Sequence, residues 1–263
     1  MAIGATNQAG PLLREWRLRR SLSQLELASR SAVSGRHLSF IETGRARPSR
    51  EMILHLAQRL DVPLRERNRL LLAAGYAPVF GERALDEPRM EAIRDALDRF
   101  LAAHAPFPAI VVDRHWNLVA ANRGVETLTA GVAAELLEPP ANALRVALHP
   151  DGMAPAILNF GEWSRHLLER LRRQIELTAD ADLQALHDEL AGYPGVDAQP
   201  DGEPVAANEI LLPLRLRQAD GAVLELFSTV TTFGTPHDVT LSELVIEAFY
   251  PADEATAAAL AAA

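Results

Sequence analysis

The sequence predicts two domains of different class: an all-α domain of five short helices, then an α+β domain with a five-stranded antiparallel sheet and helices. Three observations carry this reading. Residues 10–76 hold five apolar-periodic segments separated by short turns. Beyond residue 105 the order becomes two strands, several helices, then three strands. Between them, around Gly81 to Pro88, the composition changes. The expected divisions are therefore 1–80, a connecting helix within 81–104, and 105–263.

The helices of the first domain follow from their punctuation. PLLREWRLRRS repeats apolar residues at Leu12, Leu13 and Trp16 and ends at Ser21. Ser23 and Ser34 stand where a side-chain oxygen caps the next helix, and Gly44 where a left-handed end is needed. Pro48-Ser49 opens REMILHLAQRLD, with Ile53, Leu56, Ala57 and Leu60 on one face, and Pro63 ends it. LRERNRLLLAAG closes the set at Gly75. RMEAIRDALDRFLAAH then reads as the connecting helix.

In the second domain PAIVVDRHWNLVAAN is two strands about a turn at Asp113-Arg114, closed by Asn122. GVETLTAGVAAELL, NALRVALH, ILNFGEWSRHLLERLRRQIEL and ADLQALHDELAGY read as helices, followed by the loop PGVDAQPDGEP. EILLPLRLR, AVLELFSTVTTF and VTLSELVIEAFY read as strands, with Ile210, Leu212, Leu214 and Leu216 alternating as for one buried face. Pro213 assigns its strand to a sheet edge, because proline cannot donate to a ladder. Helices are expected on one face of the sheet.

Charge divides with the domains. Residues 1–80 hold 13 arginines and 6 acidic residues, a balance of +7; residues 81–263 hold 13 arginines and 29 acidic residues, a balance of −16. A basic module joined to an acidic remainder points to a polyanion partner for the first domain alone. The positive charge is densest in SGRHLSFIETGRARPSR, where Arg36, Arg45, Arg47 and Arg50 face a single Glu42.

Other classes are disfavoured. The N-terminus lacks the charged and apolar regions of a signal peptide, no apolar run approaches bilayer length, and there is no cysteine, so a cytoplasmic protein without disulfides is expected. The eight histidines show no metal-ligand spacing, and neither a GxGxxG nor a GxSxG pattern occurs, so no enzyme, cofactor or metal is expected.

SQLELASRSAVSGRHLSFIETG has helix-turn-helix spacing, with Ala28 at the close crossing and Leu25, Val33, Leu38 and Ile41 as expected buried contacts. Gln24, Glu26, Leu27, Ala28, Ile41, Glu42 and Gly44 make the stretch resemble the XRE-type repressor helix-turn-helix, over about residues 10–76. The resemblance implies double-stranded DNA as partner, with the third helix in the major groove. Arg36 is the expected base reader, able to grip guanine bidentately. Ser34, His37 and Ser39 are further base or phosphate contacts, and Gln24, Arg45 and Arg47 suit phosphates. Gly35 stands where a base-reading side chain is common, and Phe40 where a polar reader is common, so Phe40 is assigned to a thymine methyl or another domain. Arg17 and Glu42 match the family's buried ion pair. A homodimer is expected, because two recognition helices must reach half-sites about one helical turn apart.

RHLSFIETGRARPSREM, VVDRHWNLVAAN and FSTVTTFGTPHDVTLSELVIEAFYPAD together resemble the MmyB-like subgroup of XRE-type regulators, over about residues 10–255. That resemblance implies a PAS-like second domain of strand order 2-1-5-4-3 and a fatty acid or related acyl ligand. For such a pocket the residues offer a stripe at Phe160, Trp163, Leu167 and Leu171, and a strand face at Phe227, Thr229, Thr231 and Phe233. Arg145 is the cation expected to meet an acyl carboxylate; Asn122 and Asn159 are further polar candidates. Two alternatives stay open: a helix-turn-helix protein regulated by a protein partner, and a cofactor-bound sensor holding flavin, or haem with His149 or His166 as axial ligand.

Overall fold

The computed structural model of the chain describes residues 8–196 and 212–262. Ile210, and the loop PGVDAQPDGEP after Val196, lie outside the described residues. The chain divides into two compact units. One comprises 1–83 with the segments 176–178 and 236–242, and the other comprises 84–175, 179–235 and 243–263.

The first unit contains α1 (Ala9–Arg19), α2 (Gln24–Arg30), α3 (Gly35–Glu42), α4 (Arg50–Arg59) and α5 (Leu64–Ala73). Three of them start at serines. Ser23 accepts from Glu26 N while Glu26 reaches back to Ser23 N, a reciprocal capping box. Ser34 accepts from His37 N, and Ser49 from Met52 N. Gly44 (φ 73°) and Gly75 (φ 80°) follow the ends of α3 and α5, in backbone that a side chain would strain. Leu13, Leu38, Ile41, Ile53, Leu56 and Leu71 form the core and are each fully buried.

One expected core residue is misplaced. Leu25 is 78% exposed, and Leu27 and Ala28 are the residues of α2 that turn inward. Two positions along a helix lie about 200° apart, so Leu25 and Leu27 cannot share a face. Val33 is half-buried.

The second unit begins with α6 (Glu91–His104), β1 (Ala109–Val112) and β2 (Leu118–Ala121). Five helices follow: α7 (Val125–Thr129), α8 (Ala134–Leu137), α9 (Ala143–Leu148), α10 (Phe160–Thr178) and α11 (Ala181–Ala191). Then come β3 (Leu214–Arg217), β4 (Val223–Thr232), β5 (Val245–Pro251) and α13 (Glu254–Ala262); α12 (Val239–Glu243), between β4 and β5 along the chain, falls almost wholly in the 236–242 segment of the first unit. The sheet is antiparallel in the order β2-β1-β5-β4-β3. β3 is an edge strand, with Pro213 just before it.

Three local readings are corrected. GVETLTAGVAAELL is two short helices rather than one, broken where Gly131 takes φ 115°. VTLSEL, read as the start of a strand, is α12. Asp238 Oδ1 accepts from Thr240 N and Ser242 Oγ donates to Val239 O, local bonds that favour a helical turn over a ladder. Helices also lie on both faces of the sheet, not one. Every residue of β1 is buried, and α6 packs against it and sets the His104 ring 4.8 Å from that of Tyr250.

Candidate DNA-contacting helix and ligand cavity

α3, the expected recognition helix, is presented by its own packing. Leu38 and Ile41 fasten α3 into the core, which leaves Ser34, Arg36 and His37 exposed at its start and Ser39 and Phe40 half-exposed. The Arg36 guanidinium lies 5.4 Å from the centre of the Phe40 ring one turn on, so Phe40 supports the arginine from below. Beneath α3 sits a polar knot. Arg17 Nε and Nη2 donate to the two Glu42 oxygens at 2.7 and 2.9 Å, and Gln24 Nε2 donates to Glu42 Oε2 at 2.7 Å. The Glu42 bond holds the Arg17 guanidinium protonated, above its ordinary range.

Two of the expected phosphate contacts are thereby engaged elsewhere. Gln24 keeps one amide hydrogen beyond its bond to Glu42. Arg47 Nη2 donates to Ala74 O at 2.8 Å and its guanidinium lies 5.3 Å from the Tyr76 ring, which ties the loop to the end of α5. Arg45 is exposed in the loop after Gly44.

In the second unit a cavity of about 430 Å³ opens between the sheet and α7, α9 and α10. Its floor is one face of the sheet. Register pairs Ile110 with Glu247, and Glu247, Phe249, Leu214 and Leu226 continue the same side. Ile110, Glu247, Phe249 and Leu214 line the cavity, with Trp163 and Leu167 of α10, Ala143 and Ala147 of α9 and Leu128 of α7. Exposed Ala121, Arg123, Glu126 and Leu137 stand at its rim. The volume and the mostly apolar wall are those of a small-molecule site.

The expected pocket residues divide on this geometry. Trp163 and Leu167 line the cavity, one turn apart on α10. Asn122 borders it, but its amide is committed to backbone: Nδ2 donates to Leu101 O and Phe107 O, and Oδ1 accepts from Ala109 N. Arg145 lies outside. It forms a two-bond pair with Glu189, both at 2.7 Å, and Tyr193 donates to the same carboxylate. Burial and then that bond push the Tyr193 hydroxyl up to about 12. Asn159 also lies outside, where it bonds Pro213 O and Arg215 N and so stitches α10 to the edge strand. Phe160 packs at the start of α10 against Gly195.

Phe227, Thr229 and Thr231 are corrected by strand parity. They pair with Tyr250, Ala248 and Ile246 on the sheet face away from the cavity. Phe227 stacks on Tyr250 at 5.3 Å, and both threonines are exposed. His149 and His166 are not among the cavity's lining residues. His149 Nδ1 accepts from Asp151 N, and burial holds the His166 imidazole below its ordinary range, with Arg170 adding to the effect.

Sequence reasoning missed Trp116, which is 5% exposed on the cavity wall. Asp113 accepts from His115 N, Asn117 N and Asn117 Nδ2, and this turn holds Trp116 at φ 68°. Gln174 of α10 accepts from the indole N–H at 2.9 Å. The signal was present in DRHWN: an aspartate that folds its own turn beside a tryptophan. Arg123 and Glu247 were missed too, because neither carries a pattern that separates it from surface charge.

Residues 13–67 match the model of the helix-turn-helix family, and residues 93–263 match that of the MmyB-like transcription regulator ligand binding domain. None of the curated proteins matches the sequence. Among solved structures, one described as an RNA-binding light-oxygen-voltage receptor is similar over 97% of this chain, at 17% identity and a TM-score of 0.30. The match spans 62% of that receptor's chain, and a likeness of this depth carries no argument. With the ligand-binding-domain match extending over most of the chain behind a helix-turn-helix, the protein belongs to the MmyB-like transcription regulators.

Proposed function

We propose that this chain is a cytoplasmic, sequence-specific DNA-binding transcription regulator, acting as a homodimer and without enzymatic activity. Its PAS-like domain takes a small apolar ligand, a fatty acid or acyl compound, in the 430 Å³ cavity. The observation that carries the ligand reading is the cavity's composition: buried indole, leucine and isoleucine walls, with the exposed Arg123 and Glu126 at the rim and Glu247 as the charged group on the floor. Arg123 replaces Arg145 as the cation proposed for an acyl carboxylate, since Arg145 is spent on Glu189 and Arg123 borders the opening. Arg36, His37 and Ser39 are proposed to face bases, with Ser34 and Arg45 towards phosphates. Ligand binding can alter DNA affinity only through a difference in its affinity for two states of the protein.

Organic extraction of the folded, full-length protein followed by mass spectrometry tests the ligand reading; a stoichiometric acyl compound is expected. For DNA, gel shifts on enriched genomic fragments are expected to lose the specific complex with Arg36→Ala plus Arg45→Ala. Unchanged binding by that variant would sink the proposed face.

A further inference from the structure

Glu247 is a buried carboxylate on the cavity floor, 4% exposed, in the middle of β5. A buried charge is tolerated only when paired and hydrogen-bonded. Its partner among the described residues is Arg170 of α10, whose Nη1 donates to Oε1 at 2.9 Å. Arg170 is not a cavity residue; its guanidinium lies 4.5 Å from the centre of the Trp116 ring, whereas Trp116 and Glu247 both face the cavity. An ionised carboxylate offers about four lone-pair sites and donates nothing. One bond to Arg170 leaves most of that accepting capacity unused, on a wall otherwise formed by Ile110, Phe249, Trp163 and Leu167.

We infer that Glu247 is a specificity-determining residue, reading a hydroxyl or amine donor carried on the buried part of the ligand. The inference rests on the apolar-ligand reading above and deepens it: the ligand class is a hydroxylated or aminated acyl compound rather than a plain one. The same carboxylate repels an acidic head from the floor and so leaves that head at the rim, beside Arg123.

The sign of one comparison tests this. In a wholly apolar cavity, an added terminal hydroxyl weakens binding, because it loses water and gains no partner. Beside a carboxylate acceptor it strengthens binding through a charge-assisted hydrogen bond. Decanoate and 10-hydroxydecanoate share head and chain length and differ in that one donor. Their binding to the full-length protein can be followed by the fluorescence of Trp116 and Trp163, both in the cavity wall.

The hydroxy acid is expected to bind about tenfold tighter to the unmodified protein. In the double variant Glu247→Leu with Arg170→Leu, which removes both charges together, the order is expected to reverse. Equal or tighter binding of decanoate to the unmodified protein would overturn the inference, as would a hydroxyl preference that survives in the double variant. The unmodified protein alone supplies the sign if the variant fails to fold. Binding of neither probe overturns the underlying ligand reading as well, whereas binding without preference overturns this inference only.

Discussion

At Gly10 the approach of two helices is decided by the absence of a single carbon. A Cβ there would stand 2.1 Å from the carbonyl oxygen of Ile41, inside van der Waals contact with the end of the recognition helix. Gly10→Ala is therefore expected to cost about 2 kcal/mol, the usual range for overpacking, read as a lowered thermal midpoint. Glu42 presents the opposite case, a buried group that must stay. Its two oxygens hold Arg17 and Gln24, and Arg17 is 6% exposed. Glu42→Ala leaves that guanidinium buried and unpaired, with an expected loss of about 3–5 kcal/mol in urea denaturation. Replacing Arg17 and Glu42 together by apolar residues is expected to cost much less, because no charge is then stranded.

Helix and strand phase decides which side chains meet. On α9, Ala143 and Ala147 are one turn apart and both line the cavity. Ala147→Phe is expected to fill the cavity and remove ligand binding while the domain stays folded, as checked by probe titration beside circular dichroism. Arg145, on the same helix, faces Glu189 instead, and its bond holds the Glu189 carboxyl below the ordinary carboxylate range. A depressed carboxylate adds stability above its unfolded pKa and loses it as pH falls through the folded value. Arg145→Ala is thus expected to cost under about 1 kcal/mol at neutral pH, since the pair is partly exposed and screened. That difference from the unmodified protein should shrink below about pH 4, the range in which carboxylates protonate. Ligand affinity should not change.

Over the whole molecule, the charge split separates two kinds of partner. The +7 balance of residues 1–80 suits a polyanion, and the −16 balance of residues 81–263 opposes non-specific contact with one. DNA affinity is therefore expected to fall steeply with salt. Arg45→Ala should flatten the slope of log K against log salt by about one unit, as for one lost phosphate contact, while sequence preference is retained. Arg36→Ala should relax preference at one base position instead, measured by selection from a randomised operator library.

Local pattern was enough for the five helices of the first unit and for the order of the strands along the chain. Serine caps, left-handed glycines and 3.6-residue periodicity marked the five helices, because each depends on bonds within a few residues. Pro213 told of an edge strand for the same local reason. The cavity was only half legible. Trp163 and Leu167 could be read from helix phase, whereas Phe227, Thr229 and Thr231 fell on the wrong side, since alternation along a strand defines two faces without naming the buried one. Tertiary structure chose between them. It paired Glu247 with Ile110, turned Trp116 inward through the Asp113 turn, and spent Arg145 on Glu189, 44 residues away. Contacts at such separation depend on where the whole chain folds back, so no local pattern encodes them.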